Sequence, residues 1–167
     1  SFAWRPSKLF EGANMLLAIW ITSNSETNDL VYSTKYNRWY NEYRSSLFST
    51  LKYTDSTTLC GERIPKIPSV FSLSILEKQN KNGEYLTKLF SGNTSKHNLY
   101  YFRAVLYWFK VLIVPPIFIE DGKPRQTGEM KKLSFENHND RDISVAILLS
   151  NLYNHFYTTW SSCQVVN

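Results

Sequence analysis

Two short loops carry the residues best suited to chemistry with a polyanion. IPKIPS at 64–69 and DGKPRQ at 121–126 each set cations beside prolines. Proline removes backbone freedom before any ligand arrives, so a cation on such a loop is ordered at lower entropic cost. Lys66, Lys123 and Arg125 lie in these loops, Arg63 directly precedes the first, and Arg103 interrupts the aromatic run LYYFRAVLYWF at 99–109. Lys and Arg supply phosphate contacts, and Arg reads base edges in the major groove. For any one of these residues a solvated charged face is the simpler account. Their interleaving with aromatic residues along the chain favours binding.

Other chemistries find little support. His97, His138 and His155 are far apart, with no partner at metal or triad spacing, and His155 sits in an apolar stretch where a satisfied core histidine is expected. The six glycines are scattered and form neither a dinucleotide-binding loop nor a P-loop. GxSxG, HExxH and the zinc-deaminase signature are absent. Carboxylates are sparse and fall mostly in loops. Two cysteines, Cys60 and Cys163, are too few for a disulfide scaffold and read as free thiols of a cytoplasmic protein. No secretory leader pattern opens the chain. A charge-free stretch at 143–167 is broken by Ser, Asn, His and Thr too often for a bilayer span, and is expected to be a helix buried in protein.

At 167 residues, 43% of them hydrophobic and 16% aromatic, the chain has material for one real core. A net charge of +5 is compatible with nucleic acid without requiring it. Met15 to Thr22 reads as a buried strand, a continuous apolar run bounded by turn residues. Tyr36, Trp39, Tyr40, Tyr43, Leu47, Phe48 and Leu51 recur at helical spacing and predict an amphipathic helix whose stripe is core. Ser69 is expected to cap a helix to Lys78, with Phe71, Ile75 and Leu76 inside. Residues 99–121 predict two or three strands broken near Ala104 and at Pro115–Pro116. Residues 121–125 read as a turn and Lys131 to Phe135 as a further strand. Asp140 or Asp142 is expected to cap a final helix reaching about Trp160. The sum is an α+β fold of mixed helices and short, largely antiparallel strands.

The opening FAWRPSKLFEGANMLLAIWI (2–21) resembles the segment after the catalytic Asn-Pro-Pro-Tyr motif of gamma-class, type II DNA adenine methyltransferases, including the type IIG enzymes fused to nucleases. In that family an F-x-x-R-P-S-K-L-F-x-G-x-N-M stretch leads into a late strand of the methyltransferase sheet. YNRWYNEYRSSLFSTLKY with RIPKIPS resembles the start of the family's target-recognition region, and NLYYFRAVLYWFKV its Tyr-Arg-aromatic strands. AILLSNLYNHFYTTWSSCQVVN is similar to the helical motif near its end, with Ser-Cys-Gln where the family often has Asp-Cys-Arg. The likeness spans nearly the whole chain, and its opening motif is the most specific part.

The family's S-adenosylmethionine loop and Asn-Pro-Pro-Tyr motif have no counterpart, and Val114-Pro115-Pro116-Ile117 lacks the required Asn. The resemblance therefore implies a C-terminal fragment, inactive by itself. Residues 1–30 would end the catalytic domain and contribute a remnant strand of its sheet, and residues 31–167 would form the target-recognition domain. In the parent enzyme, S-adenosylmethionine would methylate a flipped adenine of double-stranded DNA. The resemblance places Arg5 and Lys8 beside the catalytic cleft as phosphate contacts, and Phe2 or Phe10 against the flipped base. It also implies the missing catalytic domain as a partner, and the severed sheet edge a risk of non-physiological dimers. The competing reading is a protein-interaction domain docking a subunit of a bacterial defence complex through exposed Trp and Tyr.

Overall fold

The computed structural model describes residues 1–3, 5–24, 29–92, 95–105, 107–125 and 127–163. The fold is α+β, with helices mixed among short antiparallel strands. Two compact units divide it: Ser1–Asn82 with Thr158–Trp160, and Gly83–Tyr157 with the residues from Ser161 on. Among the described residues no helix is long and apolar enough to cross a membrane.

In the first unit the N-terminal strand is replaced by an irregular extended ladder. Phe2 exchanges backbone hydrogen bonds with Leu17 (2.8 and 3.2 Å), and the Ala3 N–H donates to the Asn37 carbonyl at 2.8 Å. Residues 1–17 are thereby tied to residue 37. The expected buried strand at 15–22 does not form: only Leu17 is bridged, and Met15, Ile19, Trp20 and Ile21 are exposed, Ile21 to 89%. A continuous apolar run signals a strand covered on both faces. Such cover requires neighbouring strands, and Phe2 alone supplies one bridge here.

The amphipathic helix expected over 36–52 is also reduced, to a short 3-10 segment at Asn41–Ser46. Two local causes are visible. Asn37 is buried and held in extended pairing, its Nδ2 donating to the carbonyl of Lys35 at 2.8 Å. Farther on, the hydroxyls of Ser46, Ser49 and Thr50 donate to the carbonyls of Tyr43, Ser46 and Leu47, drawing off acceptors a helix would use. The core stripe is accordingly partial: Trp39 and Leu47 pack with Phe2 and Leu9, with Leu17 and Leu51 against them, while Tyr40, Tyr43 and Phe48 are exposed.

Strands β1 (Tyr32–Ser33) and β2 (Thr54–Asp55) pair antiparallel. The Ser56 N–H donates to the Val31 carbonyl at 2.8 Å, and the Ile67 N–H to Ser33 Oγ at 3.2 Å, seating the fully buried Ile67 side chain. Helix α1 (Val70–Asn82) follows, its first turn met by Ser69 Oγ, which accepts from the Ser72 N–H at 3.4 Å. Of the residues expected inside, only Leu76 is buried; Phe71 is 80% exposed and Ile75 is exposed as well.

The second unit is built on a four-stranded antiparallel sheet of order β3-β8-β4-β5, from β3 (Phe90–Ser91), β4 (His97–Phe102), β5 (Val111–Leu112) and β8 (Met130–Phe135). The expected breaks near Ala104 and at Pro115–Pro116 lie between strands, and the strand expected at 131–135 is β8. Leu99 opposes Leu133 and His97 opposes Phe135, so Leu99, Tyr101 and Phe135 share one face by strand alternation. That face is the core: all three are buried, Tyr101 stacks on Phe109 at 5.5 Å, and Phe109 meets Tyr153 at 5.1 Å.

The single final helix is in fact two, α2 (His138–Leu148) and α3 (Asn151–Trp160). Asn137, rather than Asp140 or Asp142, caps α2, its side chain accepting from the Asp140 N–H at 2.9 Å. Ser150 interrupts the run because its hydroxyl caps α3, accepting from the Tyr153 N–H at 3.1 Å. The stretch is also less buried than its lack of charge implied: Ile143, Ile147, Leu152 and Phe156 are exposed.

Candidate nucleic-acid interface

Between β5 and β8 the chain makes a separate two-stranded ribbon from β6 (Phe118–Glu120) and β7 (Lys123–Arg125). Its turn is Asp121-Gly122, with φ of 51° and 73°. Positive φ at both central residues is the hairpin geometry whose twist suits flanking strands, and Asp-Gly is a sequence that favours it. Residues read as a turn at 123–125 therefore form the return strand. Phe118 pairs with Arg125, Ile119 with Pro124 and Glu120 with Lys123. By alternation Phe118, Glu120, Lys123 and Arg125 share one face and Ile119 and Pro124 the other. All of β7 is exposed, and Arg125 Nη1 lies 2.7 Å from Glu120 Oε1. An exposed ion pair of this kind contributes little stability and is readily exchanged for a ligand anion. At the ribbon's base Phe118 meets Phe102 of β4 edge-on at 6.3 Å.

The remaining expected cations are dispersed. Arg103 follows β4 and is half-buried, its N–H donating to the Glu129 carbonyl at 2.8 Å. Arg63 is exposed and Lys66 half-buried in the first unit, where the Lys66 N–H donates to the Thr159 carbonyl at 3.0 Å. Arg5 is exposed and Lys8 half-buried. Of these seven cations only Lys123 and Arg125 share a secondary-structure element. Arg44 has a role the sequence did not reveal. Its guanidinium donates to the carbonyls of Lys8 (2.8 Å) and Leu9 (3.1 Å) and lies 4.9 Å from the Trp39 ring centroid, clamping the opening segment to the core.

The two aromatic candidates separate. Phe2 is 3% exposed and sits in the core with Leu9, Trp39 and Leu47, its ring edge-on to Phe48 at 5.8 Å. A ring so enclosed has no face to offer a base, which leaves Phe10 of the two alternatives. Phe10 is 61% exposed.

Titration is perturbed by burial and local hydrogen bonds. Burial raises Tyr153 to about 12, with Tyr157 and Tyr101 adding to it, and raises Tyr101 against the opposing charge of Arg103. Burial lowers His155. Hydrogen bonds from Thr57 hold Asp55 below the usual carboxylate range, and Arg141 does the same for Asp142. None of these groups forms a nucleophile–base pair, and no cluster among the described residues could hold a metal ion. The glycines with positive φ, Gly12, Gly83 and Gly122, stand singly rather than in one glycine-rich loop. The candidate site is thus a pair of cations, Lys123 and Arg125, on an exposed ribbon.

No family model, curated protein or solved structure matches the chain.

Proposed function

We propose that this chain is the DNA target-recognition part of a site-specific adenine methyltransferase of a bacterial restriction-modification system, acting in the cytoplasm. In this reading S-adenosylmethionine and the methyl transfer belong to a catalytic domain outside the sequence, and this chain grips duplex DNA and reads its bases. The observation that carries the reading is the β6–β7 ribbon. The major groove admits a two-stranded β-ribbon, and this one is exposed and bears Lys123 and Arg125 on one face. Lys123 would neutralise phosphate and Arg125, on the same face, would reach a guanine edge. Arg5, Lys8, Arg63 and Lys66 would contact phosphates in their own unit, and the resemblance of the opening motif to the methyltransferase family supports the reading.

Anisotropy of a labelled duplex titrated with the chain at two salt concentrations tests this. Binding should weaken linearly on a log–log plot, and Lys123→Gln should reduce the slope by about one. Binding indifferent to salt and to Lys123→Gln would refute it. A second reading, docking of a protein subunit, is favoured by one feature. Tyr107, Trp108, Ile113, Val114 and Ile117 are all exposed within one stretch of chain, more apolar surface than a solvated loop needs. Docking through such anchors would respond only weakly to salt.

A further inference from the structure

The face of the four-stranded sheet opposite the core is the best-defined feature the duplex reading does not use. Alternation places Tyr100 and Phe102 of β4 on it. Tyr100 lies between Lys132 of β8 and Leu112 of β5 in the register, and Phe102 lies opposite Met130. Lys110 Nζ stands 6.0 Å from the Phe102 ring centroid, and Phe118 braces the same ring edge-on. Tyr100 and Phe102 are half-buried, Lys110 and Lys132 are exposed, and neither β4, β5 nor β8 carries a carboxylate.

We infer that this face binds single-stranded DNA, its bases stacking on Tyr100 and Phe102 and its phosphates meeting Lys110 and Lys132. Aromatic rings offer nothing to a phosphate, so a ligand that uses both groups must present flat apolar faces alongside negative charge. A duplex buries its base faces in its own stack. An unpaired strand presents a base face and a phosphate at each nucleotide, the combination such platforms engage. Strand geometry supports the pairing: Tyr100 and Lys132 are direct cross-strand neighbours, so ring and cation sit side by side. The inference goes beyond the duplex reading, since it asks for a different state of the nucleic acid at a different surface.

The test uses the full chain and a fluorescein-labelled oligothymidylate of about 12 nucleotides, a length within the usual site size. The comparator is an abasic strand of equal length and charge, with the duplex of the previous section as a third ligand. The thymidylate should bind about tenfold or more tightly than the abasic strand at the same salt. With 5-iododeoxyuridine in the strand, photocrosslinks to the unmodified protein should map to Tyr100 or Phe102. Tyr100→Leu should reduce the preference for bases severalfold, and Lys132→Gln, at an exposed position, should lower the salt slope. Equal affinity for thymidylate and abasic strands, or crosslinks confined to other residues, would overturn the inference. Duplex binding without base-dependent single-strand binding would overturn it and leave the recognition reading standing. The reverse result would uphold it against the duplex reading, and binding of neither ligand would refute both.

Discussion

Gly122 offers a way to remove the ribbon's shape without touching its charges. The residue has φ of +73°, and a Cβ built there meets nothing within 4 Å. Replacement by alanine therefore clashes with no neighbour, and its whole penalty is the left-handed backbone, about 1–2 kcal/mol for an L-residue. The ribbon has little reserve to absorb this. It comprises three residue pairs, and one of them, Ile119–Pro124, contains a residue with no N–H to donate. An isolated two-stranded hairpin is marginal in water. A loss of that size lowers the ribbon's folded-to-unfolded ratio by a factor of roughly 5–30. If the folded ribbon is what meets DNA, the apparent Kd of Gly122→Ala should rise by a factor approaching that range. Gly128→Ala is the control: its Cβ also meets nothing within 4 Å, and its φ lies outside the left-handed region. Duplex anisotropy would be measured for both variants, with urea unfolding followed by tryptophan fluorescence to show that the sheet stays folded. Wild-type affinity in Gly122→Ala, or an equal loss in Gly128→Ala, would refute the assignment of the ribbon as reader.

Leu99 is fully buried in the core face of the sheet, so Leu99→Ala should cost about 2–5 kcal/mol, read as a fall in the urea midpoint. Asn137→Ala removes the α2 cap and should cost about 1 kcal/mol, with faster amide exchange in the first turn of α2. His155 is held below its ordinary value by burial, so the unfolded chain takes up the proton first as pH falls. Its contribution to stability is therefore complete above about pH 6.5 and lost on acidification below it. Urea midpoints at about pH 7.5 and about pH 5.5 should differ, and His155→Gln should narrow that difference.

The strand region from Leu99 was legible because Leu-Tyr-Tyr-Phe is dense in aromatic residues after a polar stretch, and the short strand at 131–135 was legible as well, although His97 and Asn98 joined β4 from within that polar stretch. The helix after Ser69 was legible from its cap, and the fold class follows from these local signals. The turn at Asp121-Gly122 was legible too, but the return strand was not, because Lys-Pro-Arg has no strand-like composition and pairs only through the geometry of that turn. The candidate site shares this mixture. Lys123 and Arg125 drew attention as cations beside a proline, whereas their place on an exposed ribbon depends on the pairing of β6 with β7.

Burial was the least legible property. Ile21 and Phe71 have the residue types of a core and lie in solvent, while Phe2, with the same chemistry, is enclosed. Residue type sets the free energy available from burial, but a partner surface decides whether it is realised. Ser150 shows the same division at the level of the backbone: its hydroxyl could cap a helix or ride along inside one, and which it does is a choice between local hydrogen bonds. The sequence by itself determined the α+β class, the strand region from Leu99, the helix after Ser69 and the turn at Asp121-Gly122, all consequences of local composition. Which apolar residues became core, where the final helix broke, and that Tyr100 and Lys132 came to stand side by side were decided by tertiary pairing, because each depends on residues distant in the chain or on competition among alternatives of nearly equal local energy.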